Sequence, residues 1–172
     1  MTDVDASFDA AFIRRAPKLA IRAEVATDAP FLHDLFVRCS PLRDALPREM
    51  LARQWRLQDA SHRNAYPAAM RRILSAEGRS VGRIVIDWTP NDHSQGIDLA
   101  VDPEHRATGA GLHLLRAWLE VADTLRKPCR LTVIAANPAR CIYARLGFIA
   151  EQNLHDARPL LEMTRTVGRL RV

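Results

Sequence analysis

Apolar positions change spacing several times along this chain, and each change predicts an element. Leu19-Ala20-Ile21-Arg22-Ala23 reads as a first strand. Thr27 or Asp28 then caps a helix with Pro30 in its first turn and Leu32, Leu35, Phe36 and Cys39 on one face. A second, less regular helix carries Met50, Leu51, Trp55, Leu57 and Gln58 and ends before Pro67. Arg71 to Ala76, a Glu77-Gly78-Arg79-Ser80 turn and Val81 to Trp88 read as a hairpin, and a third strand spans Gly96 to Val101. Leu112, Leu115, Leu119, Ala122 and Leu125 recur at helical spacing. Arg130 to Ala135 has the look of a buried strand. Asn137 fits an N-cap, Pro138 the first helical position and Gly147 the stop of a short helix. Phe148 to Ala150 and Leu160 to Thr166 form a last strand pair, joined by a loop through His155.

The order is therefore β-α-α-β-β-β-α-β-α-β-β, an α/β chain with a mixed sheet and helices on both faces. Residues 18–172 read as a single domain. Residues 1–17 read as a flexible arm; if they are helical, Phe8, Phe12 and Ile13 share a side that would dock on the body or on a partner.

Composition changes this picture little. The net charge of +5 comes from 25 Lys and Arg against 20 Asp and Glu. The arginines are scattered among apolar residues and form no basic run, so the charge does not mark a nucleic-acid surface. Lysine occurs only at positions 18 and 127. No apolar run approaches the length of a membrane span, and the N-terminus lacks a secretory apolar region, which points to the cytoplasm. Cys39, Cys129 and Cys141 lack metal-site spacing and fit reduced thiols, and no metal is expected.

The candidate chemistry starts where an apolar strand, Ile97 to Val101, runs into Asp102-Pro103-Glu104-His105-Arg106-Ala107-Thr108-Gly109-Ala110-Gly111-Leu112. A strand, a loop with two glycines and a helix start together suit a phosphate, whose charge meets backbone N–H groups and the positive end of the helix. A P-loop would need Lys and then Ser or Thr after Gly111, where Leu112-His113 stand. A dinucleotide fingerprint would need a third glycine where Leu114 stands.

The remaining pattern, Arg106-x-x-Gly109-x-Gly111 followed by Asn137-Pro138-Ala139, Tyr143 and Leu146-Gly147-Phe148, resembles the GCN5-related N-acetyltransferase (GNAT) superfamily. The resemblance follows the element order over residues 18–167 and is tight over 97–149. Ala107-Thr108-Gly109 departs from the family's commoner wording by one glycine and one basic side chain. The resemblance implies a GNAT-like acyl-CoA N-acyltransferase fold, with acetyl-CoA as co-substrate and a primary amine of a small molecule or peptide as acceptor. It places the pyrophosphate over Arg106, Ala107, Thr108, Gly109, Ala110, Gly111 and Leu112. The pantetheine arm would lie along Leu99, Ala100 and Val101, with a contact at Asn137, and dimers are frequent in similar proteins.

Two residues are candidate catalysts. Tyr143 is either a packing aromatic or, as the resemblance implies, the acid that protonates the departing thiolate. Asp98 is either structural or the base that receives the amine's proton, ahead of Asp87 and Glu104. Asn137 is a helix cap before it is a ligand contact. The acceptor pocket would draw on Arg38, Arg43, Trp55, Gln58, His62, Tyr66, Trp88 and His155, a mixed aromatic and basic set suited to an acceptor with an anionic group. A non-catalytic acyl-CoA-binding module is the alternative function.

Overall fold

The computed structural model describes residues 3–150 and 160–168. The elements are α1 (Asp3–Arg15), β1 (Leu19–Ala23), α2 (Ala29–Cys39), α3 (Arg48–Ala65), β2 (Met70–Ala76), β3 (Arg79–Asp87), β4 (Ser94–Val101), α4 (Ala110–Thr124), β5 (Cys129–Ile134), α5 (Arg140–Arg145), β6 (Ile149–Ala150) and β7 (Leu160–Arg165). From β1 onward this is the order the sequence predicts. The expected loop through His155 lies outside the described residues.

The strands form one sheet in the order β1-β2-β3-β4-β5-β7-β6. All neighbouring pairs are antiparallel except β4 and β5, which are parallel. The β2–β3 hairpin closes at Glu77 and Gly78, both at positive φ (50° and 78°), the turn geometry that matches strand twist. α1 and α4 pack together over one face, and α2, with α3 against it, covers β3 and β4 on the other. Strand alternation then divides β3. Ile84 and Ile86 join the core beneath α1 and α4, while Arg83 and Val85 point toward α2 and α3.

The N-terminal arm is where the structure differs from expectation. Asp3–Arg15 is a helix whose Phe8, Ala11 and Phe12 are buried in the main core. Its polar side is also anchored. The buried Arg72 of β2 donates to Asp9 at 2.8 Å and reaches Asp5 at 3.5 Å, and Arg14 and Arg15 both pair with Glu120 of α4. Two aromatics and these long-range ion pairs fix a segment whose own sequence is mostly polar. α5 also starts later than expected. The Asn137 side chain accepts from the Ala139 N–H at 2.9 Å, and bonds of the i→i+3 type tighten Asn137–Cys141, so the regular helix begins only at Arg140. Gly147, at φ 91°, ends it, with the Phe148 N–H donating to the Tyr143 carbonyl at 3.0 Å.

Trp118 sits at the centre of the sheet. Its indole N–H donates to Ser94 Oγ at 2.9 Å, and its ring lies so close under Gly96 that a Cβ there would come within 2.6 Å of it. Behind it, the fully buried Arg165 of β7 makes two hydrogen bonds to Asp123, at 2.9 and 2.8 Å. Lys127 Nζ closes the β3–β4 turn by donating to the carbonyls of Trp88 and Pro90 at 2.8 and 2.6 Å.

Gly96→Ala should cost about 1–3 kcal/mol through overpacking against Trp118, read as a lower midpoint in chemical denaturation; an unchanged midpoint would show that Trp118 moves aside freely. For Asp123, burial alone would raise the carboxyl, but the Arg165 hydrogen bonds and the Gly168 N–H outweigh it and hold the group below its ordinary value. The pair's stabilisation is then fully present above the ordinary aspartate pKa and is lost as pH falls through the depressed folded value. Asp123→Asn should cost about 3 kcal/mol at neutral pH and flatten the acid side of the stability profile. An acid side as steep as that of the parent chain would remove this pair as its source.

Candidate active site

β4 and β5 are partners only briefly. Ser94, Gln95 and Gly96 pair with Cys129, Arg130 and Leu131, and the strands then part. β4 continues to Val101 with its other edge held by β3, and β5 continues to Ile134 with its other edge held by β7. A register shift at Val85/Ile86, where Ile97 is the extra residue of β4, adds bend at the point of parting. Two strand edges, Ile97–Val101 and Thr132–Ile134, therefore face each other without bonding. The cleft of about 50 Å³ at their root is lined by Gly96, Ile97, Asp98, Leu99, Leu131, Thr132, Trp118 and Tyr143.

Tyr143 comes from α5, buried and edge-on to Phe148 with ring centres 5.9 Å apart. Burial, and secondarily the charge of Asp98, pushes its phenol above the ordinary value, so it keeps its proton through neutral pH.

The glycine loop follows β4 directly. Asp102 caps a 3-10 turn over Pro103–Thr108 by accepting from the Glu104 N–H at 3.1 Å, and its own N–H donates to Val81 at 2.8 Å. Gly109, at φ 78°, supplies the left-handed turn into α4 and gives that helix no side-chain cap. The His105 N–H donates to the Asp102 carbonyl at 2.8 Å and the Gly109 N–H to the Arg106 carbonyl at 3.3 Å, the i→i+3 pattern of the 3-10 turn. The N–H groups of Ala110, Gly111 and Leu112, the first of α4, have no acceptor within the helix. A Cβ on Gly111 would meet only Val101 at 3.5 Å, so space above the helix start is clear. Arg106 turns back to donate to the Val101 carbonyl at 3.1 Å.

On the α2–α3 side lies a second cavity of about 330 Å³. Its apolar wall includes Leu32, Leu35, Phe36 and Trp55, and its floor includes Asp59, His62, Arg83, Asp98, Leu99 and Ala100. Asn137 lies at its edge. Asp98 and Leu99 line both cavities, so the two spaces adjoin at the middle of β4.

The floor holds a buried charge cluster. Each nitrogen of Arg83 faces a different carboxylate: Nε reaches Glu24 at 2.9 Å, Nη2 Asp59 at 3.0 Å and Nη1 Asp98 at 3.4 Å. Arg63 closes the cluster from outside, pairing with Glu24 and with Asp59 at 2.7 Å. Burial raises the Asp98 carboxyl above its ordinary value, opposed chiefly by Arg83. For Asp59 burial also acts upward, but Arg63 and Arg83 outweigh it and the carboxyl lies low. Burial holds the His62 imidazole below its ordinary value, so the ring is neutral at pH 7.

The structure sorts the expected acceptor residues. Trp55, Gln58 and His62 line the larger cavity. Arg38 and Arg43 do not: Arg38 pairs with Asp34 at 3.0 Å and with Asp102, and Arg43 pairs with Asp44 at 3.4 Å. Trp88 packs against the core beneath α4, and Tyr66 offers its carbonyl to Arg71 at 3.0 Å. His155 lies outside the described residues. Of the weaker base candidates, Asp87 caps the Thr89 N–H at 3.0 Å and Glu104 is exposed on the loop. A basic pocket for an anionic acceptor is thus not what the described residues build. Glu24, Asp59 and Arg83 are not among the residues the sequence singles out, and the signal for them is the lone arginine inside the apolar run Val81–Ile86. Among the described residues, no three His, Cys, Asp or Glu side chains are grouped to hold a metal ion.

Comparison with known proteins bears on these two cavities. The family model of the acetyltransferase (GNAT) domain matches residues 70–150. No curated protein sequence matches the chain. Among solved structures, the ribosomal-protein-S18-alanine N-acetyltransferase from Escherichia coli is 19% identical with a TM-score of 0.61, over 90% of this chain and 99% of that one. The PaiA N-acetyltransferase from Thermoplasma acidophilum, solved in complex with coenzyme A, is 19% identical with a TM-score of 0.64, over 86% and 98%. An acetyltransferase from Thermus thermophilus is 21% identical with a TM-score of 0.63, over 87% and 97%. At such identities the likeness establishes the fold. The matched segment runs from β2 through the glycine loop to β6 and is similar to the GNAT acetyltransferase domain, and the chain as a whole takes the GNAT fold.

Proposed function

We propose that this protein transfers an acetyl group from acetyl-CoA directly to a primary amine of a small molecule or peptide. The observation that carries the reading is that the two cavities adjoin at Asp98 and Leu99. An extended thioester arm entering between the open edges of β4 and β5 ends where the larger cavity delivers its ligand.

The chain's own groups fit such a co-substrate. The N–H groups of Ala110, Gly111 and Leu112 and the positive end of α4 receive the pyrophosphate. The free edge of β4 at Leu99, Ala100 and Val101 pairs with the pantetheine amides as an added strand would. Asn137, already a turn cap, adds a contact at the mouth.

Holding amine and thioester at one point supplies much of the rate. Protons then have to move. An ammonium cannot attack, so Asp98, its basicity raised by burial, takes one proton and passes it to water. The neutral nitrogen bonds to the carbonyl carbon as the carbon–sulfur bond breaks. Tyr143 donates its proton to the departing sulfur, and the second proton shed by the nitrogen returns Tyr143 to its starting state. The sum is amide, free thiol and one released proton.

Tyr143→Phe should lower turnover by about 10²-fold while acetyl-CoA affinity stays within about twofold of the parent, since the ring and its packing persist. Thiol release and calorimetric titration measure the two. Unchanged turnover would remove Tyr143 as the acid. Gly111→Trp should abolish CoA binding with no change in melting temperature, because the indole covers the helix start. Binding that survives would move the site elsewhere. A protein that binds acetyl-CoA but acetylates no amine would instead be an acyl-CoA-binding module.

A further inference from the structure

Resting on the acetyl-transfer reading above, we propose that the acceptor is a small primary amine on an apolar, ring-sized body, with no carboxylate beside its nitrogen.

The charges of the larger cavity decide the head group. Among the described residues, the charged side chains that line it are Asp59, Arg83 and Asp98, and His62 lies among them. Arg83 is the cation of this set, and each of its nitrogens already faces a carboxylate, one of them Glu24 beneath the floor. Arg63 and Arg71 press on the cluster from outside without lining the cavity. Arg63 is spent on Glu24 and Asp59, and Arg71 on the carbonyls of Ala69 and Tyr66 at 3.0 Å each. Among the described residues, an anionic acceptor would therefore find no uncommitted guanidinium lining the cavity and would face two carboxylates. An ammonium finds the reverse. Asp98 holds it at the boundary with the thioester cleft, its side chain still a quarter open.

The walls decide the body. Leu32, Leu35, Phe36 and Trp55 give the lining aliphatic and aromatic surface, with Ser40, Gln54, Gln58 and Asn137 as neutral polar groups among them. The cavity's volume of about 330 Å³ is at the small end of ligand sites, enough for a ring and a short arm. Size and the aromatic surface of Phe36 and Trp55 favour a small arylalkylamine.

The test uses acceptors matched except for one carboxylate. Thiol release from acetyl-CoA is measured with 2-phenylethylamine, phenylalanine and phenylalanyl-alanine amide, and acetyl-CoA binding is measured on the same preparation. The amine should exceed the amino acid in kcat/KM by about tenfold or more, since an unpaired like charge at such a site is strongly disfavoured. Asp59→Asn removes one lining charge and should narrow that ratio several-fold; if this variant fails to fold, the comparison on the parent protein decides alone. Calorimetric binding of 2-phenylethylamine to the CoA-loaded protein, with none for phenylalanine, would support the same conclusion without turnover. An amino acid used as well as the amine would overturn the acceptor class and leave N-acetyl transfer standing. A faster peptide amide would overturn the small-molecule assignment. Acetyl-CoA binding with no acetylation of any of the three would overturn the acceptor class, and no acetyl-CoA binding would overturn the transfer reading together with it.

Discussion

Trp118 packs against the backbone of Gly96, at the last residue where β4 and β5 still share hydrogen bonds. Side-chain volume placed under a sheet normally supports continuous pairing; here it underlies the point where pairing stops. The indole is held in place by Ser94, and Gly96 is the residue without a side chain that lets it come so near. The residues of the proposed site are arranged around the gap that follows. Tyr143 reaches it from α5, the glycine loop begins at the far end of its β4 edge, and Asp98 stands between it and the larger cavity.

The second organising feature is Arg83. A guanidinium buried in a strand is costly unless its donors are matched, and here β1–α2, α3 and β4 each contribute one carboxylate through Glu24, Asp59 and Asp98. The cluster therefore ties the sheet to α3 and fixes the floor of the larger cavity in one act. A comparable link joins α2 to the glycine loop, where Arg38 pairs with Asp102, the residue that caps the 3-10 turn. Both sides of the site are thus braced by ion pairs that cross between elements.

Local chemistry was legible in the sequence where it depends on spacing. The strand, glycine loop and helix over 97–125 follow from apolar periodicity and the position of Gly109, and the hairpin from its Glu77-Gly78 turn. The parting of β4 and β5 was not legible, because it depends on which strands pair and for how long. α3 looked irregular for a physical reason: part of its inner face lines a cavity, so Trp55, Gln58, Asp59 and His62 stand where a core helix would carry aliphatic residues. α1 was obscured by its polarity, since Asp5 and Asp9 gain their meaning only from Arg72 on a distant strand. For the same reason the arginines could not be sorted in advance into surface charges and buried struts.

That preference for arginine has a chemical consequence. A thioester acylates any accessible unprotonated amine, including those of the protein that holds it. Guanidinium groups stay charged and are poor nucleophiles, and this chain uses them for its buried pairs at Arg72, Arg83 and Arg165. Its lysines number two, and Lys127 is engaged with the carbonyls of Trp88 and Pro90. Lys18 is then the lysine left open to solvent, so under the proposed function the protein would offer an activated acetyl group very few side-chain amines of its own on which to be wasted.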